Sequence, residues 1–173
     1  MRRVVVFVLF VCVPVIGAIL FSLQGREALL QHLTSDSGVT RALAQLSIRA
    51  HGLDIVKPLP ATALEFVLNA CTPEVQPATP LSRCLEAAEW LLEHGADPNV
   101  ARPDLGLSVL HIAALFHDPR VVELLVAHGA RATSLASNGT FRGLDAYQLA
   151  RRRCGRAGVS DAECRAVEKA LQR

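Results

Sequence analysis

The sequence predicts an all-α fold: a short solenoid of about four helix pairs, preceded by one N-terminal apolar helix. Three observations point to it. Ala and Leu dominate a chain that is half apolar yet holds one Trp, one Tyr and six Phe. That balance suits closely packed helices better than β-sheets, which favour aromatic and β-branched residues. Three His-Gly pairs, His51-Gly52, His94-Gly95 and His128-Gly129, each end an apolar helical pattern. There Gly supplies a left-handed cap, and His complements the negative end of the helix dipole. An uncharged run from Val4 to Leu23 stands ahead of all of this. At 173 residues the chain is one domain's worth, with room for a real core.

The N-terminal run, VVVFVLFVCVPVIGAILFSL, makes a helix of about 30 Å, the thickness of a bilayer's hydrocarbon core. Residues 1–25 therefore read as a signal-anchor or a signal peptide. Val15-Ile16-Gly17 or Ile16-Gly17-Ala18 offers small residues for cleavage, but the mature chain would then open on the apolar Ile19-Leu20-Phe21. An uncleaved transmembrane anchor fits the length better, and Pro14 is tolerable within a membrane helix. Arg2 and Arg3 hold the N-terminus in the cytoplasm, so the residues beyond about 25 are translocated. In the bacterial envelope that this compact layout suggests, the protein is a single-pass inner-membrane protein with a periplasmic domain. After cleavage it would instead be soluble in the periplasm or secreted.

Residues 26–58 read as an N-terminal capping pair, with helices at Arg26–Leu33 and Val39–Ala50. Between them Thr34-Ser35-Asp36-Ser37-Gly38 offers Ser and Asp as helix caps. Lys57-Pro58-Leu59-Pro60 turns the chain into residues 59–173, where the pattern repeats. Gly95-Ala96-Asp97 and Gly129-Ala130-Arg131 lie 34 residues apart. Counting back from each glycine sets Ala87–Leu92 over Val121–Val126, two second helices with one apolar face. The first helices align at Thr62-Ala63-Leu64-Glu65-Phe66-Val67, Ser108-Val109-Leu110-His111-Ile112-Ala113 and Asp145-Ala146-Tyr147-Gln148-Leu149-Ala150. The middle copy matches the T-P-L-H-x-A signature with Ser for Thr and Val for Pro, and Gly95-Ala96-Asp97-Pro98-Asn99 matches a hairpin-loop entry. The chain thus resembles ankyrin-repeat proteins, closely over Leu85–Arg131, more loosely over Pro60–Asn99, and most loosely over Gly143–Arg173.

Within that register the cysteines fall in equivalent places. Cys71 and Cys154 each lie nine residues after the signature's first position, where the middle repeat has His117. Cys84, ten before His94, corresponds to Asp118, ten before His128. His117 and Asp118 form the turn between paired helices. In the flanking repeats that turn is opened by Thr72–Arg83 and by Gly155–Glu163, each bracketed by Cys. The register predicts disulfides Cys71–Cys84 and Cys154–Cys164, because the base of such a loop can bring Cα atoms to the required distance of about 4.4–6.8 Å. Export supplies the oxidising compartment. Buried free thiols, a metal site and a redox-active dithiol are the alternatives. Cys12 lies within the apolar run.

No catalytic motif appears: there is no Gly-x-Ser-x-Gly, His-Glu-x-x-His or phosphate loop. His51, His94, His111 and His128 have structural explanations, and no cofactor or metal is expected. Residues 26–130 carry 7 basic against 12 acidic residues, whereas residues 131–173 carry 9 against 4, a dipolar distribution able to orient a partner. Arg151-Arg152-Arg153 with Arg156 complements a helix C-terminus, or fits an acidic protein or anionic lipid headgroups. Interleaved aromatics for nucleic acid are missing, and no small-molecule substrate is expected. The resemblance implies a non-catalytic module that binds another protein through its hairpin loops, with the N-terminal helix meeting the membrane. Its contact residues would be Asp97, Asn99, Arg102, Asp104 and Leu105 on one loop, and Arg131, Ser134, Ser137, Asn138, Thr140 and Phe141 on the next. Phe141 reads either as an apolar anchor or as packing beneath its loop. An inhibitor or immunity factor, or a scaffold for an envelope protein, are the concrete forms. The alternative from another class is a thiol-redox protein using the paired cysteines.

Overall fold

The computed structural model describes residues 26–52, 62–69, 80–116, 119–154 and 159–172. Among them the regular elements are eight α-helices and one 3-10 turn. In chain order the helices are α1 (Arg26–Leu33), α2 (Gly38–His51), α3 (Ala63–Asn69), α4 (Leu81–Glu93), α5 (Val109–Phe116), α6 (Pro119–Ala127), α7 (Ala146–Arg153) and α8 (Asp161–Leu171); α1 packs with α2, α5 with α6 and α7 with α8. The 3-10 turn is Gly139–Phe141. No helix among the described residues is long and apolar enough to cross a membrane. The expected anchor at residues 1–25, Cys71, and the expected boundary between residues 58 and 59 all lie outside the described residues.

The described residues fall into two compact units: 26–52 with 66–69 and 80–88, and 62–65 with 89–172. In the first, α2 packs against α1. Ser37 starts α2 by accepting a hydrogen bond from Thr40 N–H, satisfying one of the otherwise unpaired donors of the first turn. Leu29, Leu30 and Leu33 of α1 and Ala44 and Ile48 of α2 are buried. Arg83 lies 3.7 Å from Asp36 and 3.3 Å from Glu86, surface pairs of small energetic weight.

In the second unit α5 packs on α7 and α6 on α8, so consecutive pairs stack first helix on first and second on second. Val109 to Leu115 are all buried, which explains why α5 is apolar around its whole circumference rather than along one stripe. The repeat period shows in the helix ends. Ala96 N–H donates to the Leu91 carbonyl at 2.9 Å, and 34 residues on Ala130 N–H donates to the Leu125 carbonyl at 2.9 Å. Gly95 and Gly129 between them hold φ of 94° and 86°, a Schellman closure that a side chain at those positions would strain.

The two expected insertions are shorter than the sequence register implies. Helix α4 starts at Leu81 and α8 at Asp161, so Leu81–Arg83 and Asp161–Glu163 are helical. The cause at α8 is a capping box. Ser160 accepts from Glu163 N–H while the Glu163 carboxylate accepts from Ser160 N–H at 3.0 Å, which satisfies two first-turn donors at once. Both second helices thus begin three residues ahead of Cys84 and Cys164.

Candidate functional site

Two hairpin loops build the candidate surface. In the first, Ala101 and Ser108 form an antiparallel bridge and Arg102 N–H donates to the Leu107 carbonyl at 2.9 Å. In the second, Ala136 N–H donates to the Leu144 carbonyl and Gly143 N–H to the Ala136 carbonyl, both at 2.9 Å, around the 3-10 turn. The loops are laced together. Ser137 N–H donates to the Gly106 carbonyl at 2.9 Å, and Asn138 Nδ2 donates to the Pro103 carbonyl at 3.0 Å. Gly106 permits this approach. It holds φ of 65°, and a Cβ there would meet Asn138 N at 2.4 Å and Ser137 Oγ at 2.6 Å, so any side chain would force the loops apart. Asn138 Oδ1 is buried at this junction without a hydrogen-bond partner among the described residues.

Each loop is also held from below, from one repeat position. In the middle repeat that position is His111. Its Nδ1 accepts from Ser108 N–H at 3.1 Å and faces Ser108 Oγ at 2.7 Å, which leaves Nε2–H to donate to the Ser134 carbonyl at 2.9 Å. Burial lowers the His111 pKa from its ordinary value, opposed by its backbone hydrogen bonds to Ser134 and Leu144 and by the charge of Asp145. The imidazole is therefore neutral, as this hydrogen-bond pattern requires. In the preceding repeat the same position is Glu65. Its N–H donates to Thr62 Oγ1 at 3.1 Å, and its carboxylate accepts from Arg102 Nη1 in the next loop at 2.8 Å. Arg102 turns its other edge to Asp104. Nε donates to Oδ1 at 2.8 Å, and Nη2 donates to Oδ2. These hydrogen bonds hold the Asp104 carboxyl down at about 2, and the two carboxylates raise the Arg102 pKa further above its usual range. In the last repeat the position is Gln148, exposed and used in a capping box with Asp145.

The residues expected to meet a partner are thus largely engaged within the chain. Asp97 is exposed and accepts from Asn99 N–H at 2.8 Å. Asn99 bridges two loop entries: Nδ2 donates to the Gly129 carbonyl at 3.0 Å, and Oδ1 accepts from Arg131 N–H at 2.9 Å. Arg102, Asp104 and Asn138 carry the bonds described above, while the Arg131 and Thr140 side chains are exposed. Phe141 takes the packing role. It lies partly buried against Leu107, Ile112, Leu115, Ala136 and Leu149. The large apolar side chains that do stand exposed on the loops are Val100, Leu105 and Leu135. Leu105 is among the contact residues that the resemblance implies; Val100 and Leu135 are not, although each is, like Phe141, an apolar residue inside a polar loop.

Of the paired cysteines, Cys154 and Cys164 are joined in a disulfide, with Cα atoms 5.7 Å apart, linking the end of α7 to the first turns of α8. Cys84 on α4 is fully buried and disulfide-bonded. Among the described residues no group of His, Cys, Asp and Glu could hold a metal ion.

A helix pair, a glycine cap at 34-residue intervals and a hairpin loop latched from the signature position together define an ankyrin repeat. Residues 77–126 match the family model described as "Ankyrin repeats (many copies)". The chain is 52% identical over 44 residues to proteins named ankyrin repeat and SOCS box protein 6 from Homo sapiens and from Pongo abelii. That stretch is 25% of this chain and 10% of either relative, so the match spans a small part of either relative's length. No solved structure matches the chain. Ankyrin repeats are a protein-binding scaffold, generally without catalysis, and this chain contains them.

Proposed function

We propose that the protein is a membrane-tethered, exported binding module that captures another protein on its two hairpin loops. The observation that carries this is the exposure of Val100, Leu105 and Leu135 on loops held rigid from beneath. An apolar side chain on a preordered loop desolvates on contact without an ordering cost, which is what a binding hot spot requires. Asp97, Asn99, Arg102, Asp104, Arg131 and Asn138 act mainly by holding those loops, with Arg131 also presenting charge at the rim. Export is supported by the uncharged run Val4–Leu23 and by Arg2 and Arg3. It places the repeats in the periplasm of a bacterial cell, where the partner would be an envelope protein that this module inhibits or holds in place. Disulfides at Cys154–Cys164 and Cys71–Cys84 belong to the same reading, as staples of the two opened turns.

The decisive experiment is affinity capture with the chain expressed in its own membrane, comparing wild type with the Leu105→Asp/Leu135→Asp double variant. The variant should lose the captured protein while keeping the wild-type melting temperature. Retention of the same protein by the variant would remove the loop surface from the function. Fusion of alkaline phosphatase after the last residue tests export, since that enzyme folds only where disulfides form; an inactive fusion overturns the periplasmic placement.

A further inference from the structure

Helix α2 is apolar on two opposite faces. Its inner face buries Ala44, Ser47 and Ile48. Its outer face carries Val39, Ala42, Leu46 and Ala50, spaced at three- and four-residue steps, so they form one stripe along the helix. Val39 is 72% exposed and Leu46 45% exposed. A surface helix ordinarily turns a polar face to solvent; this one does not. Arg49 borders the stripe on the same exposed side.

The covalent path bears on what covers it. Only Gln24 and Gly25 separate the end of the apolar run at Leu23 from the start of α1, a reach of at most about 11 Å. The 8 residues of α1 span about 12 Å and the 14 residues of α2 about 21 Å. Four residues, Thr34 to Ser37, turn the chain back, and α2 packs on α1. So α2 lies against α1, whose start is tied to the end of the apolar run, and the stripe is held within a helix length or two of that point. A bilayer holding Val4–Leu23 is the apolar phase that this geometry delivers to the stripe.

We infer that α2 is an interfacial helix: its stripe Val39, Ala42, Leu46 and Ala50 lies in the headgroup–acyl boundary of the membrane that holds the N-terminal run. This rests on the tethered reading above and adds to it a second contact, which fixes how the repeat domain is presented rather than leaving it on a free swivel. Apolar burial of the stripe supplies the attraction, and Arg49 sits at headgroup level beside anionic lipid.

The test uses the full chain reconstituted in vesicles of phosphatidylcholine with brominated acyl chains and a fraction of phosphatidylglycerol. Single variants Val39→Trp, Leu46→Trp and Leu135→Trp each add one indole to the constant background of Trp90. The indoles added at positions 39 and 46 should lose about twofold or more of their emission to the bromine, as expected at the acyl boundary, while the one added at position 135 keeps its emission. Circular dichroism checks that each variant retains its helices; the positions are exposed, so folding is expected to survive. Carbonate extraction of the wild type separates the two readings. A chain stripped from vesicles by carbonate overturns the anchor and this inference together. A carbonate-resistant chain with unquenched emission at position 46 overturns the inference alone, as does quenching at 46 without 39. Cross-linking of two chains through position 46 in place of quenching overturns it in favour of a second copy.

Discussion

Glu65 and His111 stand at the same place in consecutive repeats, and both are 2% exposed. Both reach from a first helix into the loop that follows, yet the chemistry differs. His111 passes one N–H to the Ser134 carbonyl and stays neutral, so its burial costs a polar group rather than a charge. Glu65 buries a carboxylate and answers it with the Arg102 guanidinium, which is itself shared with Asp104. A repeat scaffold therefore specifies where a latch sits and how far it must reach, not what it is made of. The ionic latch comes with a desolvation cost, and losing either end should hurt more than losing the neutral one.

That difference can be broken from either side. Arg102→Ala should be the most damaging change, costing about 3 kcal/mol in urea denaturation because a buried carboxylate loses its ionic partner. A cost below that of the neutral latch would show that the ion pair is not what holds the first loop. His111→Ala should cost about 2 kcal/mol, the sum of a lost inter-loop hydrogen bond and the packing of the ring. The two losses should add when combined if each latch serves its own loop; a combined loss well short of the sum would mean that the lacing through Gly106 and Asn138 makes them one device.

The latches also separate by pH. The folded pKa of His111 lies below its ordinary value of 6.5, so the unfolded chain takes up a proton first as pH falls. Stability is then full above about pH 6.5 and declines below it, by at most about 1.4 kcal/mol per pH unit. His111→Gln should flatten the denaturation midpoint between pH 6.5 and 5 while leaving any loss at lower pH. Asp104, held at about 2 against an ordinary 3.8, acts with the same sign in a lower window: its contribution is present above about pH 4 and fades as pH falls toward 2. Asp104→Asn should be the mildest change, because the carboxylate is exposed and water screens it. A large loss of stability in that variant would mean that Asp104, and not Glu65, is the real anchor of Arg102.

Much of the helix layout was legible. The periodicity and the Ser37 cap place α1 and α2 within one residue of the observed bounds, because local capping chemistry and one apolar face set them. The starts of α4 and α8 were misjudged, since aligning to the most regular repeat hid local signals such as Ser160-x-x-Glu163. The latch position was readable from the alignment, but the Arg102–Glu65 partnership spans 37 residues, and no local pattern announces it. The loop residues were legible as a group, but which of them face inward was not: Phe141 packs against Leu107 and Leu149 while Leu135 stays exposed.

What the amino-acid order settled alone was the repeat: the pairing of helices, the glycine caps at Gly95 and Gly129, and the register that puts Cys154 opposite Cys164. These follow from interactions within a few residues, or from a period that copies them along the chain. What only the tertiary structure decided was the occupancy of each face: which apolar side chains fill the core, which polar ones lace the loops, and which are left for a partner. Loop backbone that meets its neighbour through Gly106 and Asn138 has no local preference for one side or the other. The choice is made by the packed surface beneath it.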